Sequence, residues 1–292
     1  MSDLAITSPV VLPGMGLKWK TKPPAGTSLN KQHPLYPYLI FATALNGPQG
    51  STSSDSIGMP GARDLVKNRV PVSANAASKT LGIRFSSLHE HAHLRGVGYF
   101  CDGTIDENND HGLVYPGLYE FSGAEVTMIT ASTFSDALDS AGSRSLSYVN
   151  GGGGESYGLQ ASSDGVIRWR AFGSEVDATV DAAGFLDDCI EQAGRKKVGE
   201  NRVWARRKST GTLVTNSTSG SVTSFEGDEA MCIGCNVDWD RSMIGEVYYG
   251  FVFTADLSQQ WIESIWDNPW QLYEPSPIYL APPDPKRRVV LW

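Results

Sequence analysis

The chain has 292 residues, 40% of them hydrophobic and 19% charged, which supplies a core and excludes wholesale disorder. Its 24 basic and 32 acidic residues leave a net charge of −8; an acidic surface repels phosphate backbones, so no nucleic-acid partner is expected. The 31 glycines, with abundant Ser, Thr and Val, point to short strands and tight turns rather than helices.

The opening MSDLAITSPVVLPG has no basic region and no long apolar run, so no secretory signal is expected. No stretch approaches the roughly 18 apolar residues of a membrane helix, and folding in a cytoplasm without a membrane partner is the expectation. Residues 1–34 carry Pro9, Pro13, Pro23, Pro24 and Pro34 without sustained periodicity, which reads as an extended arm. The body is expected over 35–273, beginning with a strand in LYPYLIFATAL (35–45).

Residues 86–120 read as an enlarged loop or an inserted strand pair. Within them His89, His91 and His93 would share one face of a strand. Same-face neighbours on a strand lie roughly 6.5–7 Å apart, whereas zinc–nitrogen bonds are about 2.0–2.1 Å. Two of these histidines can meet one metal; three cannot unless the strand bends sharply. An exposed insertion is expected, with no metal and no cofactor. DENNDHG (106–112) is rich in oxygen ligands but lacks the spacing of a helix–loop–helix calcium loop.

EVTMITASTF (125–134) suits a strand buried on both faces. Gly151–Gly154 is a connector, because no Gly-Lys-Ser/Thr follows it. YGLQASSDGVIRWRAF (157–172) reads as a hairpin turning at Asp164-Gly165, with Ile167, Trp169 and Ala171 on one face and Arg168 and Arg170 on the other. Glu175 and Asp177 are the nearest approach to the paired carboxylates of a glycoside hydrolase, but the third acid of that strand pattern is missing, so a solvated strand face is expected. A short helix is expected over 182–193 and a second hairpin over 202–216. Arg195–Lys197 and Arg206–Lys208 read as solvated loops. Cys232 and Cys235 lack a matching second pair, so they and Cys101 and Cys189 are expected as thiols, mostly buried, not a zinc site. In GEVYYGFVFT (245–254), Val247, Tyr249, Phe251 and Phe253 are expected on one face of a central strand, with Tyr248 and Val252 opposite. DLSQQWIESIWDNPW (256–270) is helical, with Ile262, Ile265 and Trp266 on one face, Ser258 as N-cap and Pro269 as terminator. Residues 274–292 form a proline-rich arm ending in VVLW, an apolar end that needs a partner to cover it. Many strands, short turns and a single clear helix predict an all-β, antiparallel two-sheet jelly-roll sandwich.

Lys22-Pro23-Pro24-Ala25-Gly26-Thr27, Asn30 and His33-Pro34-Leu35 form an entry segment, and GEVYYGFVFTADLSQQWIESIWDNPWQLYEP forms an exit. Together they resemble the concanavalin A-like (LamG/pentraxin-type) jelly-roll domains of tailed-bacteriophage virion proteins. The signature positions are Ser258, Trp266, Pro269 and Trp270. The chain departs from the pattern at Trp261, which stands where a capping-box Glu would follow Ser258.

The resemblance implies a non-enzymatic virion structural protein, of head-decoration or tail-associated type. The arms would attach it to a major capsid or tail protein, through Trp19, Lys286, Arg287, Arg288, Leu291 and Trp292, in a homo-oligomer. The alternative is a glycan-binding host-adhesion protein, with Trp169 and Trp204 as candidate aromatic platforms. A glycoside hydrolase centred on Glu175 is the remote third reading.

Overall fold

The computed structural model describes residues 22–24, 26–45, 62–69, 71–73, 82–85, 97–102, 112–115, 117, 125–134, 143–149, 155–162, 165–171, 174–180, 185–186, 188–220, 230–235 and 243–274. His89, His91, His93, Cys101's side chain, the Gly151–Gly154 connector, Trp19 and residues 275–292 lie outside this description, and with them Lys286, Arg287, Arg288, Leu291 and Trp292.

In chain order the strands are β1 (Leu39–Thr43), β2 (Val72–Ser73), β3 (Gly82–Phe85), β4 (Val97–Asp102), β5 (Leu113–Tyr115), β6 (Val126–Phe134), β7 (Ser143–Val149), β8 (Glu155–Ser162), β9 (Val166–Ala171) and β10 (Ser174–Thr179). They continue with β11 (Cys189–Lys197), β12 (Glu200–Arg207), β13 (Leu213–Thr218), β14 (Met231–Ile233) and β15 (Ile244–Phe253), and a single helix, α1 (Gln259–Asp267), follows. They form two antiparallel sheets: an eight-stranded sheet ordered β13-β12-β11-β6-β15-β4-β3, with β1 also paired to β15, and a seven-stranded sheet ordered β10-β9-β8-β7-β14-β5-β2. This is the expected jelly-roll-like sandwich. Phe41, Tyr115, Met128, Leu146, Leu159, Ile167, Trp169, Ile190, Val203 and Val252 fill the space between the sheets.

Both predicted hairpins form, as β8–β9 and β12–β13, with Gly165 and Gly211 supplying the left-handed turn residues. The short helix expected over 182–193 does not. Its second half is β11, bonded on one edge to β6 and on the other to β12, and a strand with two partners satisfies its whole backbone regardless of local helix preference. The two internal basic runs are not loops either. Arg195 and Lys196 are buried in β11, and Arg206–Lys208 end β12 in ion pairs with Glu191 and Asp188.

β15 carries a bulge between Val247 and Tyr249 that changes its face pattern from the one expected. Val247 joins Val252 between the sheets, while Tyr248 turns outward with Tyr249, Phe251 and Phe253. The bulge is also where the edge of β15 changes neighbour, from β4 at Ile244–Val247 to β1 at Gly250–Phe253. Two carbonyls freed there find side-chain donors. Thr130 Oγ1 donates to Tyr249 O at 2.6 Å, and Lys22 Nζ donates to Tyr248 O at 2.8 Å.

The outward aromatic strip needs a cover, and the chain ends supply it. Ile262, Ile265 and Trp266 of α1, with Trp270, Leu272 and Tyr273 of the following 3-10 turn, bury it together with Leu29, Leu35 and Leu39. Entry and exit segments clasp each other here: Asn30 N–H donates to Leu272 O at 2.8 Å and Glu274 N–H to Ser28 O at 2.9 Å, while Leu29 bridges Tyr273. The two segments that carry the sequence resemblance, far apart in the chain, are neighbours in space.

Trp169 sits directly over Gly194 of β11. A Cβ at Gly194 would lie 2.1 Å from Cε3 of the indole. Gly194→Ala is therefore expected to cost about 1–3 kcal/mol through overpacking, read as a lower midpoint in thermal unfolding; an unchanged midpoint refutes the packing described.

Burial lowers the Lys22 pKa to about 7 against an upward pull from Glu246. A depressed pKa in the folded state means that this group's contribution is complete above its ordinary value and is lost as pH falls toward 7. The denaturation midpoint is expected to rise between pH 7 and about 9.5. Lys22→Met should flatten that rise, and an undiminished slope in the variant rejects the role given to Lys22.

Candidate functional site

The eight-stranded sheet has its outer face covered by α1, so ligand-facing surface must come from the outer face of the other sheet or from the cover itself. On the seven-stranded sheet, register aligns Arg144, Gln160, Arg168 and Asp177 across β7, β8, β9 and β10. The charges at the open end of this row answer one another. Arg168 grips Asp177 with two bonds, Nε to Oδ1 at 2.6 Å and Nη2 to Oδ2 at 2.9 Å, and reaches Glu175 with Nη1 at 3.1 Å. Arg170 lies 3.6 Å from Glu175. The hydrogen bond to Asp177 holds Arg168 more firmly protonated than usual. Glu175 and Asp177 thus lie on a partly solvated strand face, as expected, but with their oxygens engaged by guanidinium groups that the sequence did not pair with them.

Trp169 and Trp204, the candidate platforms of the glycan-binding alternative, are both buried, in line with the core reading that their strand positions equally allow. Trp169 is 0% exposed, because its position in β9 faces inward and its ring fills the slot above Gly194 while stacking on Tyr157 at 5.8 Å. Trp204 is on the outer face of β12 but only 1% exposed, since the guanidinium groups of Arg195 and Arg202 lie over its ring at 5.0 and 5.7 Å. Trp266 and Trp270 are buried under α1 and the exit turn. Of the described tryptophans, only Trp261 keeps a partly open side chain. The sequence contained the signal: at 100° per residue Trp261 falls off the stripe of Ile262, Ile265 and Trp266. There it registered only as a missing capping-box acid.

A depression of about 400 Å³ between α1 and the exit turn is lined by Gln260, Glu263, Ser264, Asp267, Asn268 and Gln271, with Trp261 outside the lining. It exists because α1 begins and ends where it does. Ser258 Oγ accepts the Trp261 N–H at the N-terminus, as the sequence predicts. At the other end Asn268 breaks the helical conformation and Pro269 opens a 3-10 turn over Pro269–Leu272 that folds Gln271 back. Gln271 Nε2 then donates to Ser264 O at 2.7 Å and Asn268 O at 3.0 Å, a second donor to carbonyls that already accept the Asn268 and Gln271 backbone N–H groups.

His33, from the entry segment, completes this corner. Leu35 N–H donates to His33 Nδ1 at 3.2 Å, so the proton sits on Nε2, which donates to Gln271 Oε1 at 3.3 Å. Burial lowers the His33 pKa, with the Gln271 bond acting in the opposite sense. Its ring meets Trp261 edge-on at 6.0 Å between centroids.

The two carboxylates in the wall are held from beneath. Trp204 Nε1 donates to Gln259 Oε1 at 3.3 Å, and Gln259 Nε2 donates to Glu263 Oε1 at 2.7 Å. Arg206 bridges Glu191, which is 0% exposed, to Asp267, which is 67% exposed, at 2.5 and 2.8 Å. Trp204 therefore supports the site through Gln259 rather than meeting a ligand.

Cys232 and Cys235 are buried with no disulfide between them; the thiol of Cys235 occupies the space where Gly112 lacks a Cβ. Of DENNDHG, the described part is Gly112.

Gln271→Ala removes the caps on α1 and the tie to His33. It is expected to lower stability by about 1–2 kcal/mol, measured by urea denaturation; a change within about 0.3 kcal/mol of zero contradicts the capping role.

No protein-family model matches the chain, and no curated protein matches it in sequence. In structure it is similar to Trypanosoma rangeli sialidase in complex with the inhibitor DANA, with a TM-score of 0.50 and 12% identity over 78% of this chain and 32% of that one. The match thus spans about a third of the sialidase's length, 32%. It is also similar to domain 4 of AbnA, a GH43 extracellular arabinanase from Geobacillus stearothermophilus in complex with arabinotriose, with a TM-score of 0.49 and 9% identity over 78% of this chain and 98% of that one. The CBM40 of Ruminococcus gnavus IT-sialidase bound to α2,3-sialyllactose matches over 50% of this chain and 83% of its own, with a TM-score of 0.38 and 12% identity. These descriptions concern proteins that bind or act on glycans, and none bears on the virion role, which rests on the sequence resemblance. What the likeness supports is the fold: this chain is an antiparallel two-sheet, jelly-roll-like β-sandwich.

Proposed function

We propose that this chain is a glycan-binding module whose site is the depression between α1 and the exit turn. The observation that carries the reading is a depression lined by amide, hydroxyl and carboxylate groups, with the partly open Trp261 joined to it through His33, which meets both Trp261 and Gln271. Sugars present flat C–H faces that pack on aromatic rings, and hydroxyls that both donate and accept hydrogen bonds. Gln260, Asn268 and Gln271 offer planar amides, Ser264 a hydroxyl, and Glu263 and Asp267 acceptors. Gln259, Arg206 and His33 hold several of these groups before any ligand arrives, which limits the ordering cost of binding. A fold shared with part of a sialidase supports the same reading.

The virion reading is compatible with this one, as an adhesin carried on a phage particle. The observation in its favour is that the entry and exit segments which carry the resemblance form one joint structure. An inventory of purified particles by mass spectrometry tests it: the role stands if the chain is present at fixed stoichiometry and falls if it is absent.

A glycan array followed by calorimetry tests the binding proposal. Trp261→Ala is expected to weaken binding at least about tenfold through loss of aromatic contact. Arg168→Ala, on the opposite sheet, should leave it unchanged. Binding that survives Trp261→Ala, or that disappears with Arg168→Ala, moves the site elsewhere and refutes the proposal.

A further inference from the structure

We infer that the depression between α1 and the exit turn selects neutral and amine-bearing sugars and rejects carboxylated ones; this rests on the glycan-binding reading above. The argument is a count of charges at the site. Glu263 and Asp267 are the charged residues of its lining, and both are acids. Asp267 is balanced by Arg206, but Arg206 is already shared: its Nε lies 2.5 Å from Glu191, its Nη2 is 2.8 Å from Asp267, and its guanidinium rests on Trp266 at 5.2 Å. Lys208, the next cation, points to the other oxygen of Glu191 at 2.7 Å. Glu191, Arg206, Lys208 and Asp267, which run from the buried Glu191 to the exposed Asp267, are neutral as a set.

Among the described residues, Glu263 is left without a cationic partner; the neutral amide of Gln259 donates to it at 2.7 Å. His33, bonded to Gln271, is biased by burial toward its neutral form. A sugar carboxylate entering here would face Glu263 with no guanidinium or ammonium of the lining turned toward it, and like charges brought together at a binding surface oppose association. A sugar ammonium would meet Glu263 favourably, and a neutral sugar would use the amides without penalty. The sheet face with Arg168 and Arg170 is no substitute acceptor for an acidic sugar, because those guanidiniums are matched by Asp177 and Glu175.

The test uses the full chain and three probes of similar size: an N-acetylglucosamine oligomer, its free-amine counterpart, and a sialylated trisaccharide. Calorimetry at low salt is expected to rank the amine oligomer at or above the neutral one, and both at least about fivefold above the sialylated sugar. Glu263→Gln should narrow the gap between neutral and acidic probes without altering the fold by circular dichroism. Raising the salt should narrow it in the same direction in the unchanged protein. Equal or tighter binding of the sialylated sugar overturns this inference while leaving the glycan reading standing, as does a gap that Glu263→Gln leaves untouched. Failure of all three probes, and of the array, removes the glycan reading and this inference with it.

Discussion

The aromatic strip on the outer face of β15 is the constraint from which the rest of the cover follows. A bulge at Val247–Tyr249 turns Tyr248 outward with Tyr249, Phe251 and Phe253, on a sheet whose inner face is already packed. Leaving that much aromatic surface in water would be costly and sticky. The chain answers by laying α1, the exit turn and the entry segment across it. The lining of the candidate site, including the fold-back of Gln271, belongs to that cover, and the sandwich supports it from below.

The same arrangement explains why polar chemistry sits where it does. Charged groups under α1 are buried and must be matched, so Glu191 holds Arg206 and Lys208 while Arg195 holds Glu200 and Asp256. Arg206 reaches upward to Asp267, and Trp204 reaches Glu263 through Gln259, so the sheet sets the positions of both carboxylates. A rigid sheet thereby organises a surface that is made of helix and turn, which is how a small, open depression can present side chains in fixed directions.

The joint between entry and exit segments has a second consequence. Lys22 enters the split edge of β15 to satisfy Tyr248 O and passes within 5.6 Å of Trp270, tying the start of the chain to the last turn of the cover. The segment read as an arm therefore contributes its residues 26–34 to the body, through contacts that no periodicity in a proline-rich stretch would announce.

Strand alternation, hairpin turns and the helix between Ser258 and Pro269 were legible in the sequence, because each depends on local geometry: period two, a glycine with positive φ, a side-chain cap, a missing N–H. So was the sandwich itself, and so was the solvated strand face of Glu175 and Asp177, though not its pairing with Arg168. Three things were decided only in three dimensions. β11 became a strand because two neighbours claimed its backbone; Val247 and Tyr248 exchanged faces because a bulge needs a partner strand to exist; and Trp169 and Trp204 vanished from the surface because Gly194 and two arginines, distant in sequence, closed over them. Exposure depends on what lies opposite a residue, and one chain position cannot state that before the fold has chosen its neighbour.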